Sequence, residues 1–558
     1  MPKYTIGLDY GSLSGRAVLV DIADGRQLCD CVMDYPHAVM SETLAATGAP
    51  LPPDYALQDP KDYLDVLHTI VPGVISKAGI DPHDIIGLGI DFTCCTMLPV
   101  RADGTPLCFD EKFRGEPHAY VKLWKHHAAQ PYADRLNEVA RRRGEPWLDR
   151  FGGKVSSEWM FPKIWQVLDE SPEIYDAADY FIEAADWLTW QLTGRQTRGY
   201  CFAAYKSSFV IDDGGYPSED FFGELDERLR HVVRDKLDAP MVFTGERAGS
   251  VCRRAADWLG LPEGAAVACP MPDAHTATIS LGLKRAGDMC AIMGTSSCYM
   301  LLGDKDGQVP GICGIVKDGM TPGFYGYEAG LCCVGDHFAW AAENVTRADY
   351  IEEANRRGIS VLKLLIEKAA GQKPGEHGLV ALNWFNGNRN ILVDAALSGM
   401  IVGMTLRTRP EDILRALIEA TAYGTRTIIE NYRTHGVKVG RIVAAGGIAR
   451  KDPFTMQTYA DILNMDIEIS GSAQAPALSG AIQAAAAAGE SDGGYATLSE
   501  AMNHMVSACD KVYHPIPENV AVYDRLFAEY MKLHDYFGRG GNNVMKTLRA
   551  ISAETLES

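Results

Sequence analysis

Apolar and polar positions near the N-terminus predict a β-meander with an unusual first turn. Thr5–Leu8 and Arg16–Val20 are apolar runs of strand length. Asp9–Gly15, which joins them, is built of Gly, Ser and other turn-forming residues. Asp24-Gly25 then reverses the chain into a third strand from Leu28 to Tyr35. We therefore predict three antiparallel strands in sequence order.

The same pattern returns in the second half of the chain. Met289–Met293 and Tyr299–Leu302 are again apolar strands, and Gly294–Ser297 is again a turn of Gly and small hydroxylated residues. Asp306-Gly307 marks the next reversal. Two similar hairpins this far apart favour a duplicated domain over a short-period repeat.

A helix and a single strand follow each of the two hairpins. Ile85–Ile90 and Val439–Ala445 are predicted to be buried strands, ending in Asp91 and in Gly446-Gly447. Apolar residues recur at helical spacing in Pro60–Ala78 and in Pro410–His435. This alternation predicts the α/β class.

The boundaries of the domains follow from where the pattern changes. We expect an N-terminal domain over 1–285 and a C-terminal domain over 286–558. Residues 110–245 contain few strand signals and many Trp, Tyr and charged positions, so they predict a mostly helical insertion in the first domain. An apolar stripe near the C-terminus predicts a final helix; it comprises Tyr523, Leu526, Phe527, Tyr530 and Leu533.

The net charge of the protein argues against several classes of binding partner. The 558 residues include 53 basic and 73 acidic side chains, a formal net charge of −20. Such a field repels polyanions, so we expect neither nucleic acid nor a membrane surface as a partner. The densest basic run, Arg141–Arg143, is followed by Glu145 and Asp149 and is typical of a solvated helix face.

Cysteine usage and the N-terminus indicate the cytoplasm. The 14 cysteines include two adjacent pairs, Cys94-Cys95 and Cys332-Cys333, a poor geometry for bridging. No repeated C-x-x-C spacing suggests a zinc site. Met1-Pro2-Lys3 leads directly into the first strand without an apolar signal segment, and no apolar run is long enough to span a bilayer.

The two hairpin turns have a composition that is suited to binding phosphate groups. Turns of Gly and small hydroxylated residues present N–H and O–H donors to one point without a cationic side chain. Gly446-Gly447, at the end of a strand, permits close approach of a nucleotide. Asp9 beside the first turn is a candidate ligand of Mg²⁺, although an Asp there also commonly initiates a turn. A Walker A motif is absent, so ATP binding needs a different architecture.

Several segments together resemble the FGGY carbohydrate kinase family. They are Asp9-Tyr10-Gly11-Ser12, Met293-Gly294-Thr295-Ser296 and Ala444-Ala445-Gly446-Gly447. A further set resembles the branch of that family that acts on L-ribulose: Gly89–Thr93, Lys122–His127, Ser156–Trp159, Ala204–Lys206, Pro272–His275, Tyr327–Gly330, Asn383–Arg389 and Met456–Asp461. These segments span nearly the whole chain in order.

The resemblance implies a fold and an activity. The fold would be a duplicated ribonuclease-H-like core, as in actin-like ATPases, with an interdomain cleft. The activity would be phosphorylation of L-ribulose to L-ribulose 5-phosphate by ATP and Mg²⁺, in the catabolism of L-arabinose. Domain closure would exclude water, which otherwise would accept the phosphoryl group.

The resemblance also assigns residues. Asp273 would be the catalytic base. The sugar would contact Lys206, Glu328 from the second domain, the backbone near Cys94 and the flat face of Trp124. ATP would be bound by the two turns and by the Gly pair: Gly11, Ser12, Ser14, Gly294, Thr295, Ser296, Gly446 and Gly447.

The sequence departs from the family pattern at three positions, and two alternative functions stay open. Ser12 stands where the family often has Thr, Ser479 where a Gly is common, and Cys94 where relatives carry other small residues, which leaves the sugar preference open. A kinase for D-ribulose, D-xylulose or ribitol is one alternative, and a non-catalytic ATP-binding switch of actin-like fold is another. The sequence also leaves open whether the chain forms a homodimer.

Overall fold

The computed structural model describes residues 2–557, which form two compact units. The strands are β1 Tyr4–Tyr10, β2 Ser14–Asp21, β3 Gln27–Asp34, β4 Leu57–Gln58, β5 Ile85–Phe92, β6 Met97–Val100, β7 Val121–Lys122, β8 Tyr180–Glu183, β9 Arg198–Gly199, β10 Met241–Val242, β11 Arg247–Ser250, β12 Ala266–Ala268, β13 Met271–Pro272, β14 Asp288–Met293, β15 Ser297–Gly303, β16 Gly314–Lys317, β17 Tyr325–Leu331, β18 Val380–Leu382, β19 Met400–Val402, β20 Arg441–Ala445, β21 Ile467–Ser470 and β22 Cys509–Tyr513.

The α-helices are α1 Pro60–Ala78, α2 Gln130–Arg143, α3 Met160–Glu170, α4 Pro172–Ala177, α5 Ala184–Thr193, α6 Tyr200–Lys206, α7 Glu219–Leu225, α8 Val232–Lys236, α9 Arg253–Leu259, α10 Asp273–Ser280, α11 Gly335–Asn344, α12 Ala348–Arg357, α13 Val361–Ala370, α14 Pro410–Thr434, α15 Gly447–Lys451, α16 Pro453–Leu463, α17 Ala475–Ala488, α18 Leu498–Met505, α19 Pro517–Gly538 and α20 Val544–Glu557. Within residues 2–557, no helix is both long enough and apolar enough to cross a membrane.

The sheet of the first unit has the order β11-β12-β5-β1-β2-β3. The meander β1–β3 is antiparallel, whereas β5 lies parallel to β1 and β12 parallel to β5. Every residue of β5 is buried, which explains its continuous apolar sequence. Helix α1 covers the meander; Asp59 caps its N-terminus and Gly79, at φ 64°, ends it.

The sheet of the second unit repeats this plan, with the order β17-β15-β14-β20-β21-β22. Here too a hairpin, β14–β15, is antiparallel, and the next two strands, β20 and β21, run parallel to β14. Each sheet also ends in an antiparallel strand, β11 in the first and β22 in the second. The predicted duplicated α/β fold is thereby confirmed.

The first unit is assembled from three segments of the chain. They are Met1–Lys284, Ile315–Gly326 and Gln474–Ser507. The predicted boundary after residue 285 lies beside the end of the first segment, but Gln474–Ser507, which we expected in the C-terminal domain, groups with the first unit. The reason is the packing of α17 directly on β1 and β5.

The segment 110–245 holds α2 to α8 and the short strands β7 to β10. Strands β4, β7, β6 and β8 form a small sheet of their own. An aromatic core fills this part of the first unit, with Trp147, Phe161, Trp165 and Phe222 among its buried members. The final apolar stripe lies on α19, where Tyr523 and Tyr530 are buried.

Candidate functional site

Three carboxylates meet at the carboxyl ends of neighbouring parallel strands in the first unit. Asp9 on β1 is the register partner of Asp91 on β5. Strand β13 also runs parallel to β5, with Met271 opposite Asp91, and Asp273 follows β13 as the first residue of α10. The sheet topology therefore brings the predicted metal ligand and the predicted base to one edge, with Asp91 between their strands.

Asp91 is fully buried, and no N–H group among the described residues donates to either of its carboxylate oxygens; the group within hydrogen-bonding reach is the Asp9 carboxyl. Burial, followed by the carboxyl groups of Asp9 and Asp273, raises the pKa of Asp91 well above its usual range. Burial also raises the pKa of Asp9, although the guanidinium of Arg16, 3.7 Å from the Asp9 carboxylate, opposes that rise. The carboxyl groups thus oppose one another's ionisation, because little water can screen their charges.

Asp273 has the surroundings of a base poised near neutral pH. Burial and, next, the charge of Asp9 raise the pKa of Asp273 to about 7. The backbone N–H of Ala274, which donates to Asp273 Oδ1 at 2.7 Å, and the ammonium of Lys206 act in the opposite direction. The resemblance assigned Asp273 as the base, and the structure adds this shift of its pKa.

Lys206 ends the short buried helix α6 and is only 6% exposed. Its ammonium lies 5.6 Å from the ring centroid of Trp159. The neighbouring Tyr205 packs its ring against His275 of α10, with centroids 4.3 Å apart. Because α6 is packed against the start of α10 in this way, the cation stays near Asp273.

The first hairpin turn is linked to the predicted sugar wall. Trp124 Nε1 donates to Ser12 Oγ at 3.0 Å, so one candidate sugar residue touches one candidate phosphate residue. Gln58 donates to the Ser12 carbonyl at 2.9 Å, and Tyr35 donates to the Gly11 carbonyl at 2.9 Å. These bonds to its carbonyls hold the turn, and Ser14 closes it by accepting from Gly11 N–H at 3.0 Å.

A buried lysine joins the segments that carry Cys94 and Trp124. Lys163 of α3 is completely buried and donates to the carbonyls of Cys95 at 2.6 Å and Leu123 at 2.8 Å. Cys94 is half-buried, and its thiol interacts electrostatically with both Lys206 and Asp273. A hydrogen bond with Cys95, followed by burial, raises the pKa of the Cys94 thiol, so this thiol is a neutral lining group.

In the second unit, the second turn lies next to the Gly pair. Gly294 and Thr295 are exposed, and Gly294 N–H closes the turn on Ser296 O at 2.9 Å. A Cβ at Gly446, which has φ 97°, would lie 2.4 Å from the carbonyl oxygen of Met293. A Cβ at Gly447 would meet nothing within 4 Å. Packing against β14 therefore explains Gly446, whereas Gly447 faces open space, and its contact with a nucleotide stays a prediction.

Glu328 lies on β17 in the second unit and is 6% exposed. The backbone carbonyl of Glu328 accepts from Cys313 N–H at 2.8 Å. The contact of its side chain with a sugar stays a prediction.

The family follows from comparison with known proteins. Residues 4–280 match the model of the N-terminal domain of the FGGY family of carbohydrate kinases, and residues 289–488 match that of its C-terminal domain. The chain belongs to the FGGY family of carbohydrate kinases. Both the recognition from the sequence and the prediction of a sugar kinase are thereby confirmed, and a kinase of this family uses ATP.

Curated relatives match this FGGY kinase over nearly its whole length. A ribulokinase of Geobacillus thermodenitrificans is 51% identical over 98% of this chain and 97% of its own. A ribulokinase of Mycolicibacterium smegmatis is 49% identical over 99% of this chain and 96% of its own.

Solved structures share the fold at low identity. A xylulose kinase from Rhodospirillum rubrum has a TM-score of 0.77 and 21% identity, covering 95% of this chain and 98% of that one. A gluconate kinase from Lactobacillus acidophilus has a TM-score of 0.78 and 20% identity, covering 97% and 99%. At this identity, the likeness concerns the fold alone.

The carboxylates of this FGGY kinase fit Mg²⁺. No cluster of three or more His, Cys, Asp or Glu side chains in residues 2–557 is arranged to hold a metal by itself. Mg²⁺ in phosphoryl-transfer enzymes, however, is bound by one or two carboxylates together with water and substrate phosphates. Asp9, with the unpartnered oxygens of Asp91 beside it, is a donor set of that kind.

Three residues of the site had no role in the sequence-based prediction. Asp91 and Trp159 stood inside segments that carried the family resemblance, but nothing in the sequence showed which way their side chains point. Lys163 carried no signal, because a lysine in an apolar helix is usually solvated. The predicted buried strand Ile85–Ile90, followed directly by an Asp, was the one available hint of Asp91.

Proposed function

We propose that this FGGY kinase transfers the γ-phosphoryl group of ATP to L-ribulose, giving L-ribulose 5-phosphate and ADP. The observation that carries the proposal is the identity of about half of all residues, over nearly the full length, with curated ribulokinases. The geometry of the first unit supports it, because an Asp of suitable pKa, a buried Lys and a half-buried Trp lie at one edge of the sheet.

Asp273 acts as the base in this proposal. The sugar 5-hydroxyl attacks the γ-phosphorus, the bond from the γ-phosphorus to the bridging oxygen breaks, and the hydroxyl proton passes to Asp273. In a loose transition state the proton leaves late, so the base chiefly holds the hydroxyl in line. Its pKa of about 7 matches this task, since a general base works best near the operating pH.

The remaining residues of the first unit bind and orient the sugar. Lys206 donates to sugar oxygens, and the backbone at Cys94 together with the Trp124 indole encloses the carbon chain. Glu328 completes this set from the second unit. Bound Mg²⁺ supplies positive charge near the transferred phosphoryl group, and Asp9 is the residue that would hold it.

The turns and the Gly pair bind ATP in this proposal. N–H and O–H groups of Gly11, Ser12 and Ser14 and of Gly294, Thr295 and Ser296 take the phosphates. Gly447, with open space around its Cα, and the neighbouring Gly446 lie against the nucleoside. Neutral donors suit a protein whose net charge is −20, since they need no basic patch.

A panel of sugars tests the substrate. ADP release is measured with L-ribulose, D-ribulose, D-xylulose and ribitol at equal concentrations, and the product is identified by NMR. We expect the highest kcat/KM with L-ribulose and phosphate at the 5-position. A higher value with another member would assign the enzyme to that sugar, and sugar-independent ADP release would contradict a sugar kinase.

Replacement of the base tests the mechanism. Asp273→Asn keeps the size of the side chain but cannot accept the proton, so we expect kcat to fall about 100- to 10,000-fold. The KM for the sugar changes little, because the amide still hydrogen-bonds the hydroxyl. Retention of more than a tenth of kcat would remove Asp273 from this role.

A further inference from the structure

Asp91 is the strongest unexplained feature of the first unit. It has no exposed surface, and when both it and Asp9 are ionised, no N–H or O–H group among the described residues donates to either of its carboxylate oxygens. Burial of an ionised carboxylate without a partner is unfavourable, so such groups usually pair with a cation or coordinate a metal. The fold nevertheless places this group at the predicted reaction centre.

The neighbours of Asp91 indicate what would balance its charge. Its register partner on the adjacent parallel strand is Asp9, and paired side chains on such strands point to the same face, about 4.8 Å apart. The two carboxyl groups are within hydrogen-bonding reach of each other. Arg16 contacts Asp9 at 3.7 Å, and its influence on Asp91 is smaller than that of the carboxylates.

We propose that Asp91 is a second carboxylate of the divalent-cation site and holds the cation together with Asp9. The inference rests on the proposed kinase function and adds a second carboxylate to the cation site. A divalent cation cancels the mutual repulsion of the two groups, and oxygen is the ligand that Mg²⁺ prefers. The unpartnered oxygens of Asp91 are thereby explained as part of a site that is complete only with the cation.

Cation binding without sugar tests this proposal in the full-length protein. Binding of Mn²⁺ in the presence of ADP is followed by electron paramagnetic resonance, and thermal unfolding is recorded without metal. For Asp91→Asn we expect the Mn²⁺ affinity to fall about tenfold or more, the range seen when groups supporting a metal site are removed. We also expect a higher melting temperature without metal, because the amide can donate to Asp9 as it stands, whereas the buried carboxyl group must first take up a proton.

A matched control is Asp62→Asn. Asp62 is an equally buried carboxylate of the same unit, but it is partnered, accepting from the His37 backbone N–H at 2.9 Å and lying 2.8 Å from His37 Nδ1. This variant should melt lower and keep the wild-type Mn²⁺ affinity. If Asp91→Asn does not fold, Asp91→Ser, which is smaller and neutral, replaces it in the same measurements.

The result of the Mn²⁺-binding experiment can be interpreted independently of the result of the sugar panel. Mn²⁺ affinity within twofold of wild type in the Asp91 variant overturns the proposal, whether or not its melting temperature rises. Absence of Mn²⁺ binding by the wild-type complex with ADP overturns it as well. A tenfold loss supports it even if the preferred sugar differs from L-ribulose, because no sugar is present in the measurement.

Discussion

The chemistry of the site depends on a few carboxylates at the edge of the first sheet. The surroundings of each carboxylate determine what it can do. Asp273 accepts a hydrogen bond from the Ala274 N–H and lies near the ammonium of Lys206, so its carboxylate can form near neutral pH. Asp91 is sealed from water and has no donor, so it is suited to a cation. Residues of one chemical type thus serve separate purposes because their solvation and hydrogen bonding differ.

The pKa of Asp273 predicts how activity depends on pH. The base must be ionised, and its pKa is raised to about 7 by burial and by Asp9, against Ala274 N–H and Lys206. As pH falls through that pKa the carboxylate takes up a proton, so kcat/KM for the sugar should rise from pH 6 to pH 8.

Steady-state kinetics at saturating ATP and Mg²⁺ check this prediction, with the stability of the enzyme verified at each pH. A profile that stays flat down to pH 5 would mean that Asp273 titrates near its ordinary value in the working enzyme.

Helix α17 can lie close to β1 and β5 because both strands have a glycine where the helix contacts them. A Cβ at Gly89 of β5 would lie 2.0 Å from the carbonyl oxygen of Gly480, and one at Gly7 of β1 would lie 1.6 Å from that of Ala477. Thr5 Oγ1 donates to Ala481 O at 2.9 Å across the same contact. The helix therefore lies on the backbone of the central strands, close to the ends that carry Asp9 and Asp91.

Substitution of Gly89 tests this packing. Gly89→Ala forces α17 away from β5, and we expect the free energy of unfolding to fall by about 3 kcal/mol, at the upper end for overpacking, because both contacting groups are backbone. The matched change Gly447→Ala meets no atom within 4 Å and should leave stability within about 0.5 kcal/mol of wild type. Urea unfolding measures both, and equal stabilities for the two variants would contradict the close packing.

No single cut in the chain would separate the residues of the first unit from those of the second. The first unit needs Gln474–Ser507 in addition to its main segment, Met1–Lys284. Without α17, the Gly faces of β1 and β5 and their apolar neighbours would be open to water. Stability of the first unit is therefore a property of segments far apart in the sequence.

Truncation tests this dependence. A fragment of residues 1–284 should be poorly soluble and should unfold without a cooperative transition, because the helix that covers its central strands is missing. Co-expression with residues 474–507 should increase the soluble yield. Circular dichroism and size-exclusion chromatography provide the measurement; a cooperative transition of 1–284 alone, near the melting temperature of the full chain, would show that α17 is dispensable.

Local patterns were enough to predict many elements of this FGGY kinase. Pro60–Ala78 was predicted from its apolar spacing and is α1, residue for residue, because its cap and its ending glycine are neighbours in the sequence. The two hairpins and their small turns were likewise predictable, since a turn depends on a few adjacent residues. The family segments, spread in order along the chain, identified the class of enzyme.

The features that could not be predicted depend on contacts between residues far apart in the sequence. The grouping of α17 with the first sheet, the burial of Lys163 against the Cys95 and Leu123 carbonyls, and the convergence of Asp9, Asp91 and Asp273 all join positions far apart in sequence. A sequence pattern reports which apolar residues are buried, but it shows neither that a lysine is buried nor which charge lies beside a carboxylate. The shifted pKa of the base and the unpartnered carboxylate next to the cation ligand arise from that proximity, so they could be found only in the folded chain.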